Sequence, residues 1–321
     1  MSGGLVLSGG TLTSALCEPN MADQSDAPDW LAVEPGGLAA ERLHSWVAQQ
    51  PVPVIGLACS DPRPFDLTVE DDAELKQVAA HIEANPRASA VLVQVLRSTG
   101  SLPLVEALAV ESLAYATLQA GAEYRRWLSH RGEGASLGEV EAVRVSRVES
   151  RLEICLDTPE RRNALSVPMR DGLTEAFKLA AMDESISHVA VRGNGPAFCA
   201  GGDLTEFSLV DDVSRTHETR QLRMPARYLA LCAKKTSFFL HGACVGAGIE
   251  LPAFARRVVA ASDTVFRLPE VAMGLIPGAG GCVSIPRRIG RQRAAWMAIT
   301  GAEVNAELAL SWGLVDEVGD G

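Results

Sequence analysis

Along the chain the spacing of apolar positions changes twice. Residues 1–50 hold short apolar scraps among Gly, Ser, Pro and Asp, so this stretch is expected to be mostly irregular, with its first thirty residues open to disorder. From residue 71 a helical period sets in. Leu75, Val78, Ala79 and Ile82 recur at three- and four-residue steps and predict an amphipathic helix over 71–84. Pro86 can open a second helix to about residue 97, although the compact apolar run 90–95 is also compatible with a strand. Pro103 opens a third, whose Leu104, Leu108, Val110, Leu113 and Leu118 predict a largely buried helix. After Gly121 a short helix carries Tyr124, Trp127 and Leu128, and residues 130–138 are polar and glycine-rich, as in a linker.

Beyond the linker the period falls to two. Val143, Val145 and Val148, then Leu152, Ile154 and Leu156, predict a hairpin. Ser166 can cap a helix to about Met182, with Val167, Met169, Leu173, Phe177 and Ala181 facing a core. Strands at 188–192, 237–240 and 257–260 alternate with helices near 220–233 and after Gly246. Such alternation predicts an α/β core from about 140 to 318.

The chain has 321 residues, 47% of them hydrophobic, enough for one large domain or a core with a helical appendage. Its 29 Lys and Arg against 40 Asp and Glu give a net charge of −11. That balance argues against nucleic acid or an anionic membrane as partner, while allowing a local basic cleft for one anionic ligand. No uncharged apolar stretch is long enough to span a bilayer, and no Lys or Arg precedes Arg42 to make the positive start of a secretory signal. Seven cysteines without a CxxC pair fit reduced thiols. A soluble, cytoplasmic chain is expected.

Most familiar motifs are missing. There is no phosphate-binding GxxxxGK[ST], no GxGxxG after a strand, no HExxH and no histidine cluster, so no metal site is expected. Gly134-Ala-Ser136-Leu-Gly138 matches GxSxG, but it lies in the polar linker, not between a strand and a helix as a nucleophile elbow must. Two glycine-rich turns remain. One runs from Gly193 to Leu204 and the other from His241 to Leu251, each just after a strand. Facing each other, two such turns could direct two backbone N–H groups at one carbonyl oxygen; alone, either is an ordinary strand-to-helix turn. Glu250, among Ile249, Leu251 and Pro252, and Glu270, just before a long apolar and glycine-rich run, are lone acids in apolar surroundings. Burying an ionised group there is costly unless it is paired or functional. Converging on one site, they could hold a water and share protons; the alternative is a pair of ordinary acids, with Arg267 beside Glu270.

These residues resemble those of the crotonase, or enoyl-CoA hydratase/isomerase, superfamily. Over residues 143–318, Pro159-Glu-Arg-Arg-Asn-Ala-Leu165, Phe198-Cys-Ala-Gly-Gly-Asp-Leu204, the 241–251 turn, the 268–281 run and Gly313-Leu-Val-Asp316 stand in family order and spacing. The resemblance implies an α/β fold: a crotonase-like spiral of ββα units as core, with an all-helical N-terminal module. It implies an acyl-CoA thioester substrate, no other cofactor, and a homotrimer or hexamer. The thioester oxygen would sit between the N–H groups of Gly202 and Ala247, the latter standing where the family usually has glycine. For CoA binding, the carbonyls of Ala200 and Leu204 would face the adenine beside Asp203, and Arg161 or Arg162 would lie near the phosphates. Glu250 and Glu270 align with the two hydratase glutamates, the first activating water and the second protonating Cα. Other crotonase reactions remain alternatives, among them isomerisation and the cofactor-independent dioxygenation of an arylacetyl-CoA, as does a non-catalytic acyl-CoA-binding protein.

The family pattern usually continues with further helices after the Gly-Leu-Val-Asp motif. Here residues 66–131 resemble that segment instead, so closing helices supplied from the N-terminal side are expected. The organisation anticipated is therefore 1–65 largely irregular, 66–138 a helical module and 139–321 the acyl-CoA-binding core.

Overall fold

In a computed structural model of the chain, residues 3–8, 15, 28–36, 39–131, 140–209 and 212–319 are described. The linker serine motif at 134–138 and much of the first thirty residues lie outside them.

The expectation that 1–65 is largely irregular is corrected. β1 (Leu5–Leu7), β2 (Leu31–Val33), α1 (Ala40–Val47), β3 (Val54–Leu57) and β4 (Leu67–Val69) build a four-stranded parallel sheet in the order β1-β2-β3-β4. Ala32, Ile55, Leu57, Leu67 and Val69 join the main core, while Leu31, Val33 and Val54 pack in a second cluster with Leu43, Trp46 and Val47 of α1. Strands this short, with β2, β3 and β4 largely buried, show no hydrophobic alternation in sequence. The N-terminal region is thus a sheet followed by helices, and β4 falls inside the range expected to be all helical.

The helices follow closely. α2 (Asp72–Ala84) is capped by Asp71, which accepts the N–H groups of Ala73 and Glu74. α3 (Pro86–Thr99) begins at Pro86, and Glu123 accepts the N–H groups of Arg87 and Ala88. α4 (Leu104–Gln119) differs from expectation in the face it buries: Leu113 is exposed, whereas Ala107, Glu111, Ser112, Tyr115, Leu118 and Gln119 are buried. α5 (Ala122–Ser129) seats Tyr124 in the core.

β5 (Val143–Val148) and β6 (Arg151–Leu156) form the expected hairpin. Ser166 caps α6 (Val167–Met182) by accepting the Met169 N–H. Then come β7 (His188–Gly193), α7 (Val213–Arg223) and α8 (Ala226–Cys232); the single helix expected near 220–233 is two, broken before Pro225. β8 (Thr236–Leu240), β9 (Ala243–Val245), α9 (Ala247–Glu250), β10 (Arg257–Ala260), β11 (Val265–Arg267), α10 (Gly281–Ile289), α11 (Arg291–Thr300), β12 (Val304–Asn305), α12 (Ala306–Trp312) and β13 (Glu317–Val318) complete the chain. The main sheet has the order β13-β10-β8-β7-β6-β5, parallel except for the β5–β6 hairpin. A small sheet, β12-β11-β9, sits beside it with β11 and β9 parallel. Among the described residues no helix is long and apolar enough to cross a membrane.

Candidate active site

The small sheet assembles the site. Arg267 at the end of β11 pairs in register with Val245 at the end of β9, and the Gly246 N–H donates to the Arg267 carbonyl at 2.9 Å. The chains leaving these two strands therefore start side by side. One enters α9 and carries Glu250; the other turns at Pro269 and carries Glu270. Both carboxyl groups reach Gly246: a Cβ there would overlap Glu270 Oε1 and lie 3.6 Å from Glu250 Oε1.

The first glycine-rich turn lies against the second. Cys199 and Cys244 form a parallel bridge, with Cys199 N–H donating to the Ala243 carbonyl and Val245 N–H to the Cys199 carbonyl. Gly248 must lack a side chain because a Cβ would overlap the Cys199 carbonyl. On the opposite side Leu165 bridges Gly202: its N–H donates to the Gly201 carbonyl at 2.7 Å, and its carbonyl accepts from Asp203 at 3.3 Å. A residue gripped through its two neighbours directs its own N–H to the other side. Gly202 N–H finds no acceptor among the described residues, nor does Ala247 N–H in the first position of α9, where such groups are left over. Gly202, Ala247, Glu250 and Glu270 line one cavity of about 170 Å³, together with Phe207, Tyr115 and Arg220.

Glu250 is 2% exposed, and its Oε2 accepts two N–H groups, from Ala279 at 2.7 Å and Gly281 at 2.9 Å. Burial pushes its carboxyl up to about 7, against the pull of those N–H groups and of Arg220. Burial raises Glu270 well above the ordinary carboxyl range too, helped by the charges of Glu250 and Glu111. Glu270 Oε2 is buried without a hydrogen-bond partner among the described residues. The pairing with Arg267 considered from sequence is not made; that guanidinium donates to the Gly301 carbonyl. Two free donors beside two carboxyl groups of high proton affinity can hold a carbonyl oxygen while a proton moves at a neighbouring carbon.

The residues expected to bind CoA are placed unequally. Asp203 is buried, paired with Arg161 at 2.8 Å and accepting from Thr205, so it braces the turn. Arg161 is thereby committed to that brace, whereas the Arg162 side chain is exposed and its carbonyl accepts the Ala200 N–H. The carbonyls of Ala200 and Leu204 accept no hydrogen bond from the described residues. Burial pushes the Cys199 thiol up to about 12, which does not suit a nucleophile.

Helix α4 closes the site from the N-terminal side. Tyr115 lines the cavity with the Arg220 guanidinium 3.7 Å from its ring centroid, and Arg220 also donates to the Gly278 carbonyl. Tyr124 of α5 donates to the Phe207 carbonyl at 3.0 Å. Sequence reasoning named none of Glu111, Tyr115 and Arg220. Glu111 carries the signal that marked Glu250 and Glu270, a lone acid in an apolar run, but it was submerged in a helix apolar on every side.

The fold and this site define an acyl-CoA enzyme of the crotonase type. The sequence model for enoyl-CoA hydratase/isomerase matches residues 147–319, and the chain belongs to that family. It is 36% identical over 174 residues to the 2,3-dehydroadipyl-CoA hydratase of Escherichia coli, covering 54% of this chain and 68% of that protein. It is 32% identical over 174 residues to the 1,2-epoxyphenylacetyl-CoA isomerase of the same organism, covering 53% of this chain and 66% of that one. Among solved structures, the enoyl-CoA hydratase of Thermoplasma volcanium superposes with a TM-score of 0.52 at 32% identity, over 57% of this chain and 73% of that one. The matches thus span about two thirds of each curated relative.

Proposed function

We propose that the protein is an enoyl-CoA hydratase-type lyase that adds water across the 2,3-double bond of an enoyl-CoA thioester. The observation carrying this reading is the meeting of Glu250 and Glu270 at Gly246, in a cavity also lined by the unpartnered N–H groups of Gly202 and Ala247. The thioester oxygen accepts those two N–H groups, which stabilise the enolate that forms when the β-carbon is attacked. Glu250, fixed through Oε2, presents Oε1 to a water and removes its proton as oxygen bonds to Cβ. Glu270, whose buried carboxyl is held toward the protonated form, delivers a proton to Cα as the enolate collapses. Water is consumed, one C–O and one C–H bond form, and the carbon–carbon π bond is lost. The reaction needs no further cofactor, since CoA enters as part of the substrate.

Isomerisation of the double bond is the competing reading, because the same acids could shuttle one proton between carbons. Turnover in water enriched in heavy oxygen separates the two. A hydratase gives a 3-hydroxyacyl-CoA carrying the heavy atom; an isomerase gives a product of unchanged mass from a 3-enoyl-CoA. The assembly proposed is a homotrimer or hexamer. Light scattering of the purified chain reads it, and a monomer at micromolar concentration would overturn that part.

A further inference from the structure

The turn that holds Glu250 is held by a second glutamate. Four successive N–H groups at the start of α10 alternate between two carboxylates. Ala279 and Gly281 donate to Glu250 Oε2, while Gly280 donates to Glu111 Oε1 and Cys282 to Glu111 Oε2, both at 2.8 Å. Glu111 is 2% exposed and reaches this turn from α4, 169 residues earlier in the chain than Gly280. Glycine is required at the crossing, since a Cβ on Gly281 would stand 2.6 Å from Glu250 Oε2 and Gly280 has φ +104°. Thr99, at the end of α3, adds a bond from the same side by donating to the Cys282 carbonyl at 2.9 Å.

We propose that Glu111 is a positioning residue for Glu250: by taking the alternate N–H groups of the 279–282 turn, it fixes the donors that orient the Glu250 carboxylate and sets a second ionisable carboxyl beside it. Docking of α4 is then part of building the site as well as of covering it. This rests on the reading of Glu250 as the residue that handles the water.

The physical consequence is electrostatic. Facing Glu250 and Glu111 are Glu270 from the turn after β11, Arg220 from α7, Tyr115 from α4, and the thiols of Cys199 and Cys282. One guanidinium therefore stands among three carboxyl groups. A like charge nearby favours the protonated form, so Glu111 raises the proton affinity of Glu270. Burial and the Glu250 charge in turn raise Glu111 to about 8.

The test reads the four amides directly, by NMR of the isotope-labelled full chain across pH. In the wild type, the Ala279 and Gly281 amides should report ionisation of Glu250, and the Gly280 and Cys282 amides that of Glu111, each pair also sensing the other's step. In Glu111→Gln the Ala279 and Gly281 amides should keep their first step and lose the later one, because the second carboxyl has gone. In Glu111→Asp, which keeps a carboxyl, both steps should remain. If Glu111→Gln turns over substrate, the alkaline limb of its pH–rate profile should shift acid-ward, because Glu270 has lost a like charge, beyond any loss of kcat; a merely structural role would lower kcat and leave the profile in place. Wild-type amide pairs titrating independently, near the ordinary carboxyl range, would overturn the proposal even if the glutamine variant failed to fold. The amide titration needs no substrate. Absence of hydration activity would therefore count against the proposed reaction alone, and independent titration against the role of Glu111 alone.

Discussion

Gly246 and Glu270 are in a contact that only glycine permits, because a Cβ on residue 246 would overlap Glu270 Oε1 and its φ of +49° lies in the left-handed region. Gly246→Ala combines backbone strain of about 1–2 kcal/mol with displacement of a carboxyl group from the cavity. The variant should melt a few degrees lower and lose nearly all turnover. Thermal melts and steady-state rates check this together; wild-type rates in the variant would mean that Glu270 has no fixed task.

The two acids should be separable from binding. Glu250→Gln and Glu270→Gln should each lower kcat by about 10²–10⁴-fold, the usual worth of a positioned acid or base. Affinity for a saturated acyl-CoA, measured by calorimetry, should change little, since neither side chain is needed to hold the thioester oxygen. Tight binding by the wild type and both variants, with no turnover by any of them, would favour a binding protein.

Stability should depend on pH in a definite sense. Burial raises the carboxyls of Glu250, to about 7, and of Glu270 above their ordinary value of 4.5, so the folded chain keeps protons that the unfolded chain releases. That contribution to stability is complete below the unfolded value and is lost as pH rises through the folded one. Glu270→Gln, neutral at every pH, should therefore melt higher than the wild type at about pH 8 and lose most of that advantage at about pH 5. Melting curves at the two pH values decide it; an advantage independent of pH would show that Glu270 does not hold a proton in the fold.

The exposed Arg162 is better placed than Arg161 to meet a CoA phosphate, because Arg161 is paired with Asp203. Arg162→Ala should raise KM for a CoA ester about two- to five-fold, as loss of one exposed ion pair does. KM for the matching pantetheine ester, which lacks the nucleotide, should not move. An equal rise for both esters would place the defect in the 159–165 turn.

Much of this was legible in the sequence because the signals were local. The hairpin at 143–156, the capped helix after Ser166 and the two glycine turns each have a period or a turn residue of their own. Glu250 and Glu270 stood out as acids in apolar runs. The N-terminal sheet did not, since its strands are three or four residues long and β2, β3 and β4 are largely buried. Nor did the buried face of α4, where the exposed Leu113 and the buried Glu111 invert the hydrophobic rule. Glu111 is buried because it answers N–H groups 169 and 171 residues away, and no window along the chain contains that relation.

Hydration is read most directly as the loss of conjugated thioester absorbance when the protein meets trans-2-enoyl-CoAs of short, long and aromatic chains, with Glu250→Gln and Glu270→Gln alongside. Turnover of at least one chain class by the wild type is expected, lowered by about 10²–10⁴-fold in either variant. No turnover across the panel, with the CoA esters still raising the melting temperature, would contradict the proposed reaction while leaving acyl-CoA binding in place.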